Sequence, residues 1–460
     1  MKTKKQWKTP HTFVILACIM ILATIATYFV PAGEFERYQN AAGETLVLAG
    51  SYHQVEAHPE SFLALPGTVY RGITDAASTV TFILMIGGAF EIITSTGAIA
   101  ALCHKLSRMF VNRKYLVIPV FLILFSIFGF TMGMSAEVMI FVPFGIALAL
   151  SLGLDKVTGV AMIAMGAATG FTAGLLNPFN VGIAQGIAEL PMFSGIGYRA
   201  FILAVLLAVD TVYIVRYAKM VQLHPEKSVI YGEAEETEYQ FNEEDANLTN
   251  RKLIILLIMA AGFTVLIYGL SVWGWYFEEM SALFLAMGIA CGFANGYGPN
   301  KIASVFGDGA KNIVVGALIV GMARSINIIL EDAAVIDTIV FYISEIVGFM
   351  PHALQAMSMF IAQSLVNCLI TSGSGQAVVM MPIMVPIADL IGISRQTAVL
   401  AFQLGDGFSN SILPTSSALM GYLVVSKIPY TKWLKFMLPL FWIWTLCGCL
   451  FMVGAVLIGY

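Results

Sequence analysis

Long apolar runs, separated by short polar or charged stretches, cover most of the chain. The first run, 13–30, follows a basic start, MKTKKQWKTPHTF. It exceeds a typical signal h-region, and Tyr28-Phe29-Val30-Pro31 offers no small-residue cleavage site. We read it as a retained first span whose basic flank places the N-terminus in the cytoplasm. Residues 31–68 are polar, carry Glu34, Glu36, Glu44, Glu56 and Glu60, and read as an outer loop. A span at 72–95 returns inward, and an amphipathic stretch at 97–110 leads into a basic cluster of His104, Lys105, Arg108, Arg113 and Lys114.

The next pattern is unusual. Apolar residues 115–128 meet Gly129-Phe130-Thr131-Met132-Gly133-Met134-Ser135-Ala136-Glu137, then apolar residues 138–152, then Asp155 and Lys156. Each arm has about 15 residues, short of the ~20 that cross a bilayer as helix. Two short arms joined by a Gly/Ser tip suggest a re-entrant hairpin, which membrane depth tolerates only against protein or a wet cavity. Segment 157–188 is interrupted by Leu175-Leu176-Asn177-Pro178-Phe179-Asn180. Proline removes a helical N–H and blocks the preceding turn, so this reads as a broken helix restarting with Asn177 as N-cap and Pro178 at N1. A span at 198–217 follows, and then a glutamate-rich polar stretch, 220–250, that reads as a cytoplasmic linker.

The second half repeats the order. Spans at 253–272, 281–297 and 309–331 and an amphipathic piece at 333–347 precede a second hairpin, 352–391, with its tip at 370–376. A broken helix at 396–424, interrupted at 412–417, and a last span at 433–458 complete it. At an offset of 237–239 residues, Ser135 falls on Ser374, Pro143 on Pro382, Gly153 on Gly392 and Gly166 on Gly405. Residues 1–219 and 251–460 thus read as two repeats, each with one hairpin and one broken helix, joined by the acidic linker 220–250. Counting spans from a cytoplasmic N-terminus, 72–95 runs inward and 309–331 outward, so the repeats are inverted. That architecture belongs to secondary transporters, with the substrate site between the broken elements near the midplane.

Composition agrees. Hydrophobic residues make up 58% of 460 positions and charged residues 11%, against about a quarter charged in soluble domains. The expectation is an all-α membrane protein. No basic stripe with interleaved aromatics points to nucleic acid. The six cysteines lack CxxC or Cys/His zinc spacing, so no metal site is expected. HExxH, GxSxG and Walker motifs are absent, and no enzymatic activity is expected.

Four broken elements would converge: two tips and two breaks. Helix N-termini there would attract carboxylates, which singles out Ser135, Ser374, Asn177 and Thr415; the plain alternative is that these only cap helices. Intramembrane acids are costly and usually functional. Glu137 and Asp406 could hold a substrate cation, a proton or Na⁺, or form structural ion pairs instead. Asn180, Gln376, Asn410, Ser416 and Ser417 offer neutral contacts. Arg324 could pair with Glu331 or Asp332, and Asp210 reads as structural.

The start WKTPHTFVIL, the stretch PAGEFER, the tip GMSAE, the break LLNPFNVGIAQ and the second-half GSGQAVVMMPIMVPIADLIG and QLGDGFSNSILPTS together resemble the YfcC-like family, over essentially the whole chain. Its members are described as C4-dicarboxylate anaerobic carrier-like, include arginine/ornithine antiporters and belong to the ion transporter superfamily. The resemblance implies an elevator-type transporter of the inner or plasma membrane. A transport domain (97–196 plus 333–430) would move against a scaffold that often dimerises, so a homodimer is implied. A basic amino acid is the expected substrate. The alternatives are a C4-dicarboxylate, or another amino acid or small peptide driven by Na⁺ or H⁺.

Overall fold

The computed structural model describes residues 12–39, 45–102, 105, 111–232 and 248–460. The basic start, Glu44, His104, Arg108 and the acidic part of the linker, 233–247, lie outside them. Among the described residues nine helices are long and apolar enough to cross a membrane.

The first apolar run is α1 (Thr12–Thr27). The chain is mostly helical as expected, and the polar stretch after α1 adds four short strands to it. It pairs β1 (Gly33–Glu34) with β4 (His53–Gln54), and β2 (Arg37–Gln39) with β3 (Thr45–Val47), both antiparallel. Strands of two or three residues are too short to leave a period in the sequence. Phe35, between β1 and β2, and Leu46 and Val47, within β3, are buried.

The single span expected at 72–95 is two helices, α2 (Leu65–Asp75) and α3 (Ala77–Ser95), meeting at Ala76. The first hairpin region is α4 (Val117–Met132), a 3₁₀ segment at Ala136–Phe141, and α5 (Val142–Ser151). Its turn comes at Gly133, where φ is 64°, and not at Gly129. Gly129 stays helical because its bare Cα lies against α6; a Cβ there would sit 2.2 Å from the Ala167 carbonyl oxygen.

α6 (Lys156–Ala173) starts on Asp155, which accepts the Thr158 N–H at 2.9 Å, and ends at Gly174 with φ 55°. After the break come a π-turn at Pro178–Gly182 and α7 (Ile183–Ile187), then α8 (Ile196–Leu223). The second half runs α9 (Asn250–Tyr268), a π-turn at Gly269–Trp273, and α10 (Phe277–Ala294). It continues with α11 (Pro299–Asp332), α12 (Ile336–Phe349), α13 (His352–Val366) and α14 (Gly373–Ile391). It ends with α15 (Arg395–Ser409), α16 (Ser417–Ser426) and α17 (Tyr430–Ile458). α11 begins ten residues earlier than the polar letters suggested, because Pro299 starts the helix and 300–308 continue it.

Two packing groups result. In one, α3 lies between α10 and α11, and α1 and α2 cover α11. In the other, α4 and α5 flank α6, while α15 packs on α6, α13, α14 and α17. α16 touches both groups, through α11 on one side and the Ala136–Phe141 segment on the other. Within lipid, helices associate by backbone approach at small residues. At Gly170 a Cβ would lie 2.1 Å from the Ser126 carbonyl oxygen, and at Gly309 one would lie 2.5 Å from that of Gly87.

Ion pairs lie away from the breaks. Arg324 reaches Asp75 on α2 and, at 3.7 Å, Glu331; Asp332 instead takes both guanidinium nitrogens of Arg71. Asp210 is fully buried and accepts from Thr169 and from Trp444 Nε1 (2.8 Å), tying α8 to α6 and α17.

Candidate functional site

Each helix break exposes the backbone groups that a continuous helix would satisfy internally, and the sequence supplies caps for them. Asn177 Oδ1 accepts from the N–H groups of Phe179 (3.0 Å) and Asn180 (3.3 Å). Ser372 caps α14 by accepting from Gly375 N–H at 3.3 Å, and Ser416 caps α16 by accepting from Leu419 N–H at 3.4 Å. At the first tip, Glu137 Oε2 accepts the Ser135 N–H at 2.9 Å. The Tyr422 hydroxyl, on α16, donates to the Ser135 carbonyl. The first tip is therefore held by the second broken helix.

These elements enclose a cavity of about 700 Å³. Its wall includes Ser135, Glu137, Asn180, Ser374, Asn410 and Ser416 from among the sequence candidates, with Ser417 beside them. Four candidates do not line it. Asn177 is fully buried in its capping role. Gln376 lies in the first turn of α14, buried, with its amide donating to Gln363 O (2.9 Å) and Oε1 (2.7 Å). Thr415 has its hydroxyl buried and accepts from Thr371 only through its carbonyl, at 3.4 Å. Asp406 is fully buried one layer behind the wall. The sequence placed these residues near the breaks correctly in order but could not give the rotation of each helix.

Asp406 still bears on the wall. Asn180 Nδ2 donates to one of its oxygens at 2.7 Å, and Asn410 Nδ2 to the other at 3.0 Å. A buried carboxylate thus orients two amides that face the cavity. Asn367, which sequence reasoning missed, donates to the Asp406 carbonyl (3.1 Å), Ser409 Oγ (2.8 Å) and Asn410 Oδ1 (3.0 Å). Its one signal is its place five residues before the Ser372 cap, inside an otherwise apolar arm.

The other missed wall is aromatic. Phe171, Phe179, Trp275 and Tyr276 line the cavity. Trp275 and Tyr276 come from the corner between α9 and α10, outside any predicted hairpin or break. Tyr276 lines the same cavity as Glu137; partial burial, and after it the Glu137 carboxylate, push its phenol above the ordinary value. Among the described residues that line the cavity Glu137 is the one carboxylate, and none is Arg, Lys or His.

The sequence matches the DcuC family, C4-dicarboxylate anaerobic carrier, over residues 9–457. The chain belongs to this family. The carrier is 32% identical over its whole length to an Escherichia coli (strain K12) protein named "Putative basic amino acid antiporter YfcC", covering 98% of that protein. It is 28% identical to an uncharacterized Haemophilus influenzae protein, over 99% of this chain and 97% of that one. Among solved structures it is similar at 15% identity to the Alcanivorax borkumensis YdaH transporter, with a TM-score of 0.44 over 98% of this chain and 99% of the other. The likeness to Neisseria gonorrhoeae MtrF is also at 15% identity, with a TM-score of 0.43 over 98% and 96%. Family and apolar helices together make this a multi-pass membrane transporter, not an enzyme.

Proposed function

We propose that the carrier is a secondary transporter of a basic amino acid, exchanging arginine for ornithine or a similar pair, and that the cavity around Glu137 is its substrate site. The observation that carries this is the charge of the wall: among the described residues that line it there is one carboxylate and no basic side chain. Ser135 N–H holds one oxygen of Glu137 and so orients the carboxylate, whose charge suits a cationic substrate tail. The N-terminal residues of α14 and α16, Gly373, Ser374 and Ser417, line the same cavity. Their free N–H groups and partial positive charge suit the substrate's α-carboxylate. A zwitterion with a cationic tail is complementary to both ends. The E. coli relative's name supports the same class.

We read the motion as an elevator. The two hairpins and two broken helices would move together against a scaffold of the remaining spans, with the halves as inverted repeats. Exchange of one cation for another needs no coupling ion; net symport would need Na⁺ or H⁺, and Asp406 is the buried acid nearest the wall. The helix N-termini also favour a second reading, the C4-dicarboxylate in the family's name. Against it, a dianion would meet Glu137 and, among the described lining residues, no basic side chain.

Counterflow in proteoliposomes tests the reading. With unlabelled ornithine inside, labelled arginine enters rapidly and needs the internal ornithine. Succinate exchange with no arginine response overturns it.

A further inference from the structure

The corner between α9 and α10 contributes two aromatic side chains, Trp275 and Tyr276, to the cavity that Glu137 also lines. We propose that Trp275 and Tyr276 set the carrier's choice among basic amino acids, favouring a flat guanidinium over a compact ammonium. This rests on the assignment of the cavity to a basic amino acid.

Glu137 alone does not discriminate, because its carboxylate pairs with either cation. Ring faces do. A guanidinium is planar, weakly hydrated and stacks on aromatic faces, whereas an ammonium is a strongly hydrated point charge. The attraction of a cation to an indole or phenol face grows as water is excluded.

The corner is built to hold its rings still. The π-turn Gly269–Trp273 ends at Gly274 in the left-handed conformation, φ 65°. Trp275 is seated on Gly269, where a Cβ would come within 2.3 Å of the indole. The Tyr276 N–H donates to Glu279 Oε2 at 2.9 Å, which fixes the backbone at the start of α10. The Trp275 ring also lies 5.3 Å from that of Trp273. None of these contacts involves the hairpin tips, so the rings are placed independently of Glu137.

The experiment is competition of labelled arginine uptake by unlabelled arginine and by ornithine, in proteoliposomes of wild type, Trp275→Leu and Tyr276→Leu. Wild type prefers arginine, and each leucine variant loses about three- to tenfold of that preference, the range a cation–π contact supports. If a leucine variant does not fold, Trp275→Phe and Tyr276→Phe give the graded version. The smaller ring at 275 loses part of the preference, and the phenyl at 276 keeps the ratio. Unchanged arginine-to-ornithine ratios in variants that still take up arginine overturn the inference alone. Absence of arginine uptake by wild type overturns the substrate assignment beneath it.

Discussion

Glu137→Gln separates the charge of the cavity from its shape. Glutamine keeps an acceptor oxygen for the Ser135 N–H, so the tip held through Ser135 by Tyr422 retains its geometry. What changes is the charge: the second carboxylate oxygen becomes either a neutral acceptor or an NH₂ donor. A charge-assisted hydrogen bond is worth about 1.5–3 kcal/mol, which is roughly ten- to 150-fold in affinity. A fully formed pair at ~4 Å with effective permittivity ~20 would set an upper bound near 4 kcal/mol. Glu137 is partly exposed to the cavity, so the lower part of that range is expected. Initial-rate uptake of labelled arginine should therefore show KM raised at least tenfold, with thermal unfolding in detergent near wild type. A KM within twofold of wild type, in a folded variant, would refute the assignment of Glu137 to the substrate's cation.

Asp406→Asn keeps the volume but replaces one acceptor oxygen with a donor, so Asn180 and Asn410 can no longer both donate. Exchange should fall at least tenfold, measured as counterflow on protein shown to be folded. Gly170→Ala places a methyl 2.1 Å from the Ser126 carbonyl oxygen; backbone cannot yield as a side chain does, so about 1–3 kcal/mol of destabilisation is expected, read as a lower melting temperature. Arg37→Ala strips Asp337, 7% exposed, of its guanidinium and leaves only the Phe35 N–H, a loss of about 1–3 kcal/mol. Arg71→Ala removes a largely exposed partner of Asp332 and should cost less than about 1 kcal/mol; melting of the two variants side by side checks the contrast.

The order of elements was legible because it is written in run lengths and breakers. Asn177-Pro178 marked the first restart, since a helix that begins inside an apolar region must cap its own amides; at the second, the expectation is Thr415, and its neighbour Ser416 is the cap. The sequence puts the first tip at 129–137, and the turn falls inside it, at Gly133; the start of that stretch stays helical because glycine has two uses. Gly133 turns the chain, while Gly129 admits a neighbouring backbone, and the letter alone does not separate them. Asp406 and Gln376 were recognised as polar groups at depth, yet they form the layer behind the wall. Facing depends on helix rotation, and α15 is buried along almost its whole length, so no amphipathic stripe reveals it. Trp275 and Tyr276 were invisible as site residues because they reach the cavity from a distant part of the chain. Arg324 pairs with Asp75 across 249 positions, a contact that local helical spacing does not suggest.

The most direct test of the central claim is substrate protection of a cysteine placed in the cavity wall. Ser374→Cys, in a background with the native cysteines replaced, is exposed to a membrane-impermeant thiol reagent with and without ligand. The account predicts that arginine and ornithine slow the labelling in proportion to their affinities and that succinate does not. Labelling unaffected by arginine, or slowed by succinate alone, would contradict the claim that this cavity binds a basic amino acid.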